Sequence, residues 1–173
     1  TGKEKAWVGY SPIIGVDGDK IINDYNGNGH VLHVVRNPFS AYADTKKRAV
    51  PLSVAHYMTG WVMCQHFSLM FSQKYPDHYH MVRYEDIVKD KVGVLSGILK
   101  KAGIGKSETL SQPSWNGEVL KEVYPWGTVR IPTEAVNLKT ALELSKEEIN
   151  EIYWRTKHYI DILGFNKFYK KLI

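Results

Sequence analysis

The chain has 173 residues, 43% of them hydrophobic and 24% charged, which is enough for one globular domain with its own core and short for two. Its formal net charge of +5 favours anionic ligands, but the basic residues are scattered among acidic ones, so we do not predict nucleic-acid binding. The single cysteine, Cys64, excludes an internal disulfide, and no apolar run reaches transmembrane length, so we predict a cytoplasmic protein without a membrane partner.

The first thirty residues predict a loop-rich region. Residues 6–10 are typical of a strand, which ends at a Ser-Pro pair. Turn signals at residues 17–19 and 26–29 enclose residues 20–25, which we predict to be a short helix or an extended segment. Because the chain starts without Met and enters the first strand almost at once, we expect a single domain, residues 1–173, that is incomplete at its amino terminus.

The stretch VLHVVRNPFSAYAD, residues 31–44, is the centre of the prediction. Its first five residues are mostly apolar and β-branched, which is typical of a buried strand in a parallel sheet covered on both faces. Pro38 suits the first turn of a helix, here about residues 38–47. Arg36 would then lie at the carboxyl end of a strand, beside a helix N-terminus, where open α/β sheets bind anionic ligands. The alternative is an arginine that pairs with a neighbouring carboxylate.

The rest of the chain predicts further helices and one more strand. They are helices at about residues 53–75 and 90–103, a strand at residues 79–84, and a helix that begins at the capping box of residues 145–148 and ends at Gly164. Residues 104–132 predict a long ordered loop with at most one helical turn, and loops of that length are usually functional. This order of elements predicts one α/β layered domain with parallel strands.

Several common catalytic and binding motifs are absent from the sequence, among them the Walker loop, the dinucleotide-binding glycine motif and the nucleophile elbow. Cys64 lies among apolar residues of a predicted helix and is predicted to belong to the core. His78 and His80 lie close together, but no carboxylate or cysteine pattern completes a metal site. His33 is predicted to be a core histidine with a hydrogen-bond partner, and His30, at the strand end opposite the arginine, is a poor catalytic candidate.

Three short motifs follow one another: VVRNP at residues 34–38, RYED at residues 83–86 and LGF at residues 163–165. In this order, residues 31–173 resemble the sulfotransferase superfamily that uses 3′-phosphoadenosine-5′-phosphosulfate (PAPS). The resemblance implies a three-layer αβα fold with a parallel sheet, similar to that of P-loop NTPases. It also implies transfer of a sulfuryl group from PAPS to a hydroxyl or amine of a small-molecule or glycan acceptor, with 3′-phosphoadenosine-5′-phosphate as product and no metal. A homodimer is compatible with it.

The resemblance assigns the 3′-phosphate of the donor to Arg36. A bidentate guanidinium there would distinguish PAPS from a nucleotide that lacks this phosphate. The family normally has a serine eight residues later, where this chain has Asp44. Because a carboxylate would repel a phosphate, we expect Asp44 to point away or to cap another group. Ser40 and Thr45 are the neighbouring hydroxyls that could replace the serine, with Ser40 one turn earlier on the same helix face.

The resemblance implies further donor contacts after the second strand. Tyr84 matches the tyrosine that approaches the adenine in many relatives, whereas we expect Glu85 and Asp86 to be structural and to bond loop amides near the sheet edge. The segment YPWGTVR lies where relatives carry a late basic loop that closes over the donor. Within it, Arg130 could add a second cation to the 3′-phosphate and Gly127 could permit close backbone approach.

The catalytic residues of the family are not assigned in this chain. In relatives, the phosphosulfate loop and the catalytic base mostly precede the arginine motif, and residues 1–3 do not match that loop convincingly. We therefore expect the carboxy-terminal part of a sulfotransferase, with Ser11 as a candidate substrate contact. Two alternatives remain open, namely a kinase-like phosphoryl transferase of related fold and a non-catalytic module that binds a nucleotide or a partner.

Overall fold

The computed structural model of the protein describes residues 6–11, 15–105, 108–111 and 133–173, together with four two-residue strands between residues 114 and 128. The described chain is mixed α and β and mostly helical. Its elements are, in order, α1 (Gly18–Asp24), β1 (Val31–Val35), α2 (Pro38–Thr45), α3 (Val54–Lys74), β2 (Tyr79–Arg83), α4 (Tyr84–Lys89), α5 (Lys91–Lys101), a 3₁₀ turn (Glu108–Ser111), β3 (Ser114–Trp115), β4 (Glu118–Val119), β5 (Val123–Tyr124), β6 (Gly127–Thr128), α6 (Glu134–Ala141), α7 (Lys146–Ile162) and α8 (Asn166–Tyr169).

The sheet that carries the arginine motif consists of β1 and β2 within the described residues. The two strands are parallel, and their register pairs Val31 with Tyr79 and continues to the carboxyl ends, which confirms the prediction of parallel strands. One face of β1 is covered, since Val31 and Val35 are buried. On the other face Leu32 is 42% exposed and Val34 44% exposed. The prediction that both faces of this strand are covered is therefore wrong at these two positions.

The main core lies between α2, α3, α6, α7 and the carboxy-terminal turn. Its fully buried apolar side chains come from elements far apart in sequence and include Phe39, Ala43, Met58, Ala141, Ile152 and Ile160. The long helix α3 is capped at its start by Ser53, whose hydroxyl accepts a hydrogen bond from His56 N. The capping box that starts α7 is formed by Ser145 and Glu148, as predicted.

A second, smaller cluster holds α1 against the beginning of the sheet. It contains Ile22, Val31, Phe71 and Tyr79, each at most 4% exposed. The helical alternative for residues 20–25 is confirmed, since α1 covers most of them and buries Ile22 in this cluster. The cluster fixes where the chain enters β1.

Two sequence predictions fail in this fold. Residues 6–11 form no strand, and Trp7 and Tyr10 are 77% and 93% exposed, because an isolated apolar stretch becomes a strand only when a neighbour supplies hydrogen-bond partners. The predicted loop at residues 104–132 contains the 3₁₀ turn and two antiparallel hairpins, β3–β4 and β5–β6. Among the residues that the structure describes, no helix has the length and apolarity needed to cross a membrane.

Candidate functional site

Arg36 lies where the sequence predicts it, between the carboxyl end of β1 and the start of α2. Asn37 is the N-cap of α2, and its side-chain oxygen accepts a hydrogen bond of 2.9 Å from Ser40 N. Pro38 occupies the first helical turn. The carboxyl end of β2 lies alongside, because Val35 pairs in register with Arg83. The strand–turn–helix prediction is confirmed, and it brings the arginine and the RYED motif to the same end of the sheet.

Three contacts fix the Arg36 guanidinium. Its Nε donates to Asn137 Oδ1 at 2.7 Å, its Nη1 donates to Asp44 Oδ2 at 2.5 Å, and its Cζ lies 5.2 Å from the centroid of the Tyr84 ring. The side chain of Arg36 is 25% exposed and that of Asp44 is 48% exposed. The site is therefore a partly accessible, ion-paired cation with an aromatic ring beside it.

The position of Asp44 differs from the expectation. The expectation is that Asp44 points away from the donor phosphate or caps another group, whereas its carboxylate forms an ion pair with Arg36 itself. Asp44 lies on α2, and its Oδ1 is also 3.7 Å from Lys47 Nζ, so two cations attract this carboxylate. The alternative of an arginine paired with a neighbouring carboxylate is the arrangement observed.

Glu85 forms the centre of a hydrogen-bond network behind the arginine. Its Oε1 accepts from the backbone N of Asn37 at 3.1 Å, from Asn37 Nδ2 at 2.7 Å and from Asn137 Nδ2 at 3.0 Å. The expectation that Glu85 bonds a loop amide is confirmed. Its other oxygen, Oε2, is buried and has no hydrogen-bond partner among the described residues. Through Asn137, this network holds Arg36 Nε in place.

Asp86 differs from the expectation, since it pairs with a side chain. Its two oxygens accept from Arg83 Nε at 2.7 Å and from Arg83 Nη2 at 2.6 Å, a bidentate pair at the end of β2. Arg83 also donates to the carbonyl of Leu163 at 3.1 Å. The second and third sequence motifs are thus in direct contact in the fold.

Both hydroxyls that could replace the family serine are buried and donate hydrogen bonds within the protein. Ser40 is fully buried and its Oγ donates to the carbonyl of Asn137 at 2.8 Å. Thr45 is 7% exposed and its Oγ1 donates to the carbonyl of Ala41 at 2.9 Å. Ser40 Oγ thus joins α2 to α6, whereas Thr45 Oγ1 bonds within α2. The assignment of Ser40 to donor binding stays a prediction.

Tyr84 lies beside Arg36 as the proposed adenine contact requires. Burial raises the pKa of the Tyr84 phenol, and the adjacent Arg36 opposes that shift. The phenol therefore remains neutral at physiological pH, and its ring offers a flat apolar surface next to a cation. This combination suits the binding of a heteroaromatic anion.

The other proposed contacts are less well placed by the structure. Gly127 lies in β6, the second strand of the short β5–β6 hairpin, in which each strand has two residues. Arg130 lies outside the described residues. Ser11 is partly buried at the end of the irregular segment 6–11. All three assignments stay predictions.

Asn137 is the functional-site residue that sequence reasoning missed. It lies on α6, is 3% exposed, and contacts both Arg36 and Glu85. No local motif announces it, because its importance arises only from the packing of α6 on α2. A polar residue on the inner side of a short helix is the one signal that could have drawn attention to it.

A cavity of about 490 Å³ adjoins the network on the side of α4, α6 and α8. Glu85 and Asn137 line it together with the apolar Phe165 and the basic Lys89 and Lys167. Its lining includes Arg83, the last residue of β2, and the carboxyl ends of parallel strands are where such sheets bind ligands. There is therefore room for a ligand next to the residues that hold Arg36.

Two further predictions concern reactive side chains. His33 Nε2 donates to Gln65 Oε1 at 2.8 Å, as expected for a core histidine with a partner. Burial raises the pKa of the Cys64 thiol, which disfavours the thiolate, although the side chain is only half-buried and lies in neither core cluster. No group of three or more His, Cys, Asp or Glu side chains in the described part of the chain is arranged to hold a metal ion.

Comparisons of the chain with protein-family models, with curated proteins and with solved structures find no match.

Proposed function

We propose that this protein is the donor-binding part of a PAPS-dependent sulfotransferase, with β1 and β2 as members of a three-layer αβα fold like that of P-loop NTPases. The reaction would move a sulfuryl group from PAPS to a hydroxyl or amine of a small-molecule or glycan acceptor. The observation that carries the proposal is the position of Arg36 and Tyr84, side by side at the carboxyl ends of two adjacent parallel strands.

Each of these two side chains suits one part of an adenosine 3′-phosphate. The planar guanidinium of Arg36 can donate to two phosphate oxygens at once, and its Nε is already oriented by Asn137. The ring of Tyr84 offers a stacking or edge surface to the base. The acidic groups nearest to the arginine are Asp44 and the Glu85 that lies behind Asn137.

Asp44 would compete with the 3′-phosphate of the donor for Arg36. Asn137 already occupies Nε and Asp44 already bonds Nη1, so a phosphate at Arg36 would compete with the Asp44 carboxylate for the charge and the remaining N–H groups of the guanidinium. A half-exposed ion pair contributes about 0–1 kcal/mol, whereas a charge-assisted hydrogen bond to a phosphate contributes about 1.5–3 kcal/mol. We therefore expect Asp44 to weaken donor binding without abolishing it.

The remaining chemistry follows from sulfuryl transfer itself. The acceptor needs a base and an in-line position relative to the sulfur, and the leaving 3′-phosphoadenosine-5′-phosphate needs cations on its phosphates. Arg36 would serve only the 3′-phosphate. The catalytic base and the cation on the 5′-phosphate are not assigned to residues of this chain, and no metal is required.

Isothermal titration calorimetry tests the proposal directly. We expect 3′,5′-ADP to bind more tightly than 5′-AMP, because only the former has the phosphate that Arg36 recognises. Arg36→Ala should cost about 1.5–3 kcal/mol of 3′,5′-ADP affinity, and Asp44→Asn should increase that affinity because it removes the competing charge. Equal affinities of the two nucleotides for the unchanged protein would contradict the assignment.

A second candidate function is a non-catalytic binding module, and the Arg36–Asp44 ion pair favours it. In that case the guanidinium is a structural cation, and neither nucleotide binds. Loss of α2 stability in Asp44→Asn without any gain in 3′,5′-ADP binding would support this candidate. Tight binding of ATP with Mg²⁺ would instead favour a kinase-like phosphoryl transferase.

A further inference from the structure

Three histidines meet where the two parallel strands begin, at the end of the sheet opposite Arg36. His30 immediately precedes β1, and His78 and His80 flank the first residue of β2. His30 Nδ1 lies 3.3 Å from His80 Nε2, and the two rings are almost parallel, with an interplanar angle of 8°. The ring centroids of His30 and His78 are 4.8 Å apart. The three imidazoles form one contiguous cluster.

This cluster fastens the segment between α1 and β1 to the turn before β2. His78 Nδ1 donates to the carbonyl of Gly29 at 3.2 Å, and Val31 N donates to the carbonyl of His78 at 2.8 Å. Together with the His30–His80 contact, these bonds join two stretches of chain that are about fifty residues apart. The histidine bonds thus add to the apolar cluster of α1 in holding the beginning of the sheet.

The contact between His30 and His80 requires at least one neutral ring. One imidazole must offer a lone pair to the N–H of the other, and protonation of both would turn two N–H groups toward each other. His80 is only 7% exposed, so water cannot solvate a charge placed there. The geometry therefore favours an uncharged pair.

The surrounding charges act in both directions. Lys101 on α5 disfavours a charge on His80, whereas Asp77 in the turn before β2 favours it. Lys101 Nζ and Asp77 Oδ1 lie 3.2 Å apart and partly neutralise each other. Burial lowers the pKa of His30, with His78 adding to the shift. Burial also lowers the pKa of His80, followed by the effects of His30 and Lys101.

We propose that His30 and His80, packed beside His78, form a proton-controlled latch, which holds the connection between α1 and β1 on the sheet while the His30 and His80 rings are neutral and releases it in mildly acidic solution. The latch does not depend on the proposed donor site, because it lies at the other end of β1 and β2.

The direction of the pH effect follows from linkage. The pKa values of His30 and His80 in the closed latch are below the ordinary value of 6.5 that the rings regain on release. The open form therefore binds protons more tightly than the closed form. The stabilisation is complete above about pH 6.5 and is lost as the pH falls through the lowered values.

Amide hydrogen exchange at Val31 measures the latch, because its N–H donates to His78. In buffer with EDTA, we expect the protection factor of Val31 to fall about tenfold or more between about pH 7.5 and about pH 5.5. The amide of Ile160, a fully buried residue of α7 in the main core, reports global unfolding and should stay better protected than Val31 at both pH values. Equal protection of the two amides at about pH 5.5, or no fall at Val31, would overturn the proposal.

Two variants make the test specific. His30→Asn keeps a polar side chain that does not titrate, so the protection of Val31 should lose most of its pH dependence. His158→Asn, at an exposed position on α7, should retain the behaviour of the unchanged protein. Should His30→Asn fail to fold, NMR titration of the unchanged protein decides. Coupled titration of His30 and His80 below 6.5 supports the latch, and independent titration at the ordinary value refutes it.

Discussion

Arg36 Nε donates a hydrogen bond of 2.7 Å to Asn137 Oδ1, although 101 residues separate the two in the chain. The same amide group donates through Nδ2 to Glu85 Oε1 at 3.0 Å. One side chain on α6 thereby links the residues that follow β1 and β2. This link orients the candidate donor-binding arginine together with the ion pair to Asp44 and the contact with the Tyr84 ring.

Replacing Asn137 by alanine should destabilise the fold and loosen Arg36. Because Asn137 is 3% exposed, the variant leaves Glu85 and Arg36 short of a partner, and we expect the free energy of unfolding to fall by about 1–3 kcal/mol. Urea denaturation followed by circular dichroism measures the change. Asn150→Ala, at an exposed position on α7, is the matched control and should change stability by about 0.5 kcal/mol or less. Equal effects of the two substitutions would contradict the role given to Asn137.

Gly18 and Gly60 offer a pair of opposite predictions for the same substitution. A Cβ at Gly18 would lie 2.3 Å from Cε2 of Tyr79, a buried ring that is fixed by a hydrogen bond of 2.7 Å to Ser68 Oγ. Gly18→Ala should therefore destabilise the protein by about 1–3 kcal/mol. A Cβ at Gly60, in the middle of α3, meets no atom within 4 Å.

Gly60→Ala should accordingly stabilise the protein by about 0.5–1 kcal/mol, because alanine is the better helix former. Thermal unfolding of both variants beside the unchanged protein checks the pair. If the melting temperature of Gly18→Ala does not fall, the packing around α1 differs from the one described. If the melting temperature of Gly60→Ala falls, the same holds for α3.

His33 should contribute a separate pH dependence of stability. Burial lowers its pKa from the ordinary value of 6.5, with the hydrogen bond to Gln65 opposing the shift. The unfolded chain therefore takes up the proton first, and the stability that neutral His33 provides is present above 6.5 and lost as the pH falls through the lowered value. Denaturation at a series of pH values below neutrality should show this loss.

The His33→Gln variant separates this effect from the histidine cluster at the start of the sheet. Its side chain does not titrate, so the slope of unfolding free energy against pH should become smaller than in the unchanged protein. The His30→Asn variant should reduce the slope independently, since His33 contacts Gln65 on the face of β1 that packs on α3. An unchanged slope in His33→Gln would mean that this ring titrates alike in the folded and unfolded chain.

Local features of the fold were predictable from the sequence because they depend on neighbouring residues. The capping box of Ser145 and Glu148 and the N-cap Ser53 are set by hydrogen bonds within one helical turn. The parallel strand pair also follows from short patterns. The prediction of a strand at residues 6–10 is wrong because a strand needs a pairing partner, which a local pattern does not supply.

The candidate site was predictable only in part. Arg36 and Tyr84 were placed correctly at the strand ends, because the order of strand, turn and helix fixes where such residues lie. The directions of Asp44 and Ser40 were not, because rotation of α2 against α6 decides which side chains meet the guanidinium and which are buried.

The amino-acid sequence by itself determined about where α2, α3, α5 and α7 begin, which residues end β1 and β2 and which chemical groups stand near them, since caps, periodicity and turn residues act over a few positions. Only the tertiary structure decided that Arg36 meets Asp44 and Asn137 and that three histidines touch at the other end of the sheet. Such contacts join segments about fifty to a hundred residues apart, and their geometry results from the packing of whole helices on the sheet, which no short pattern encodes.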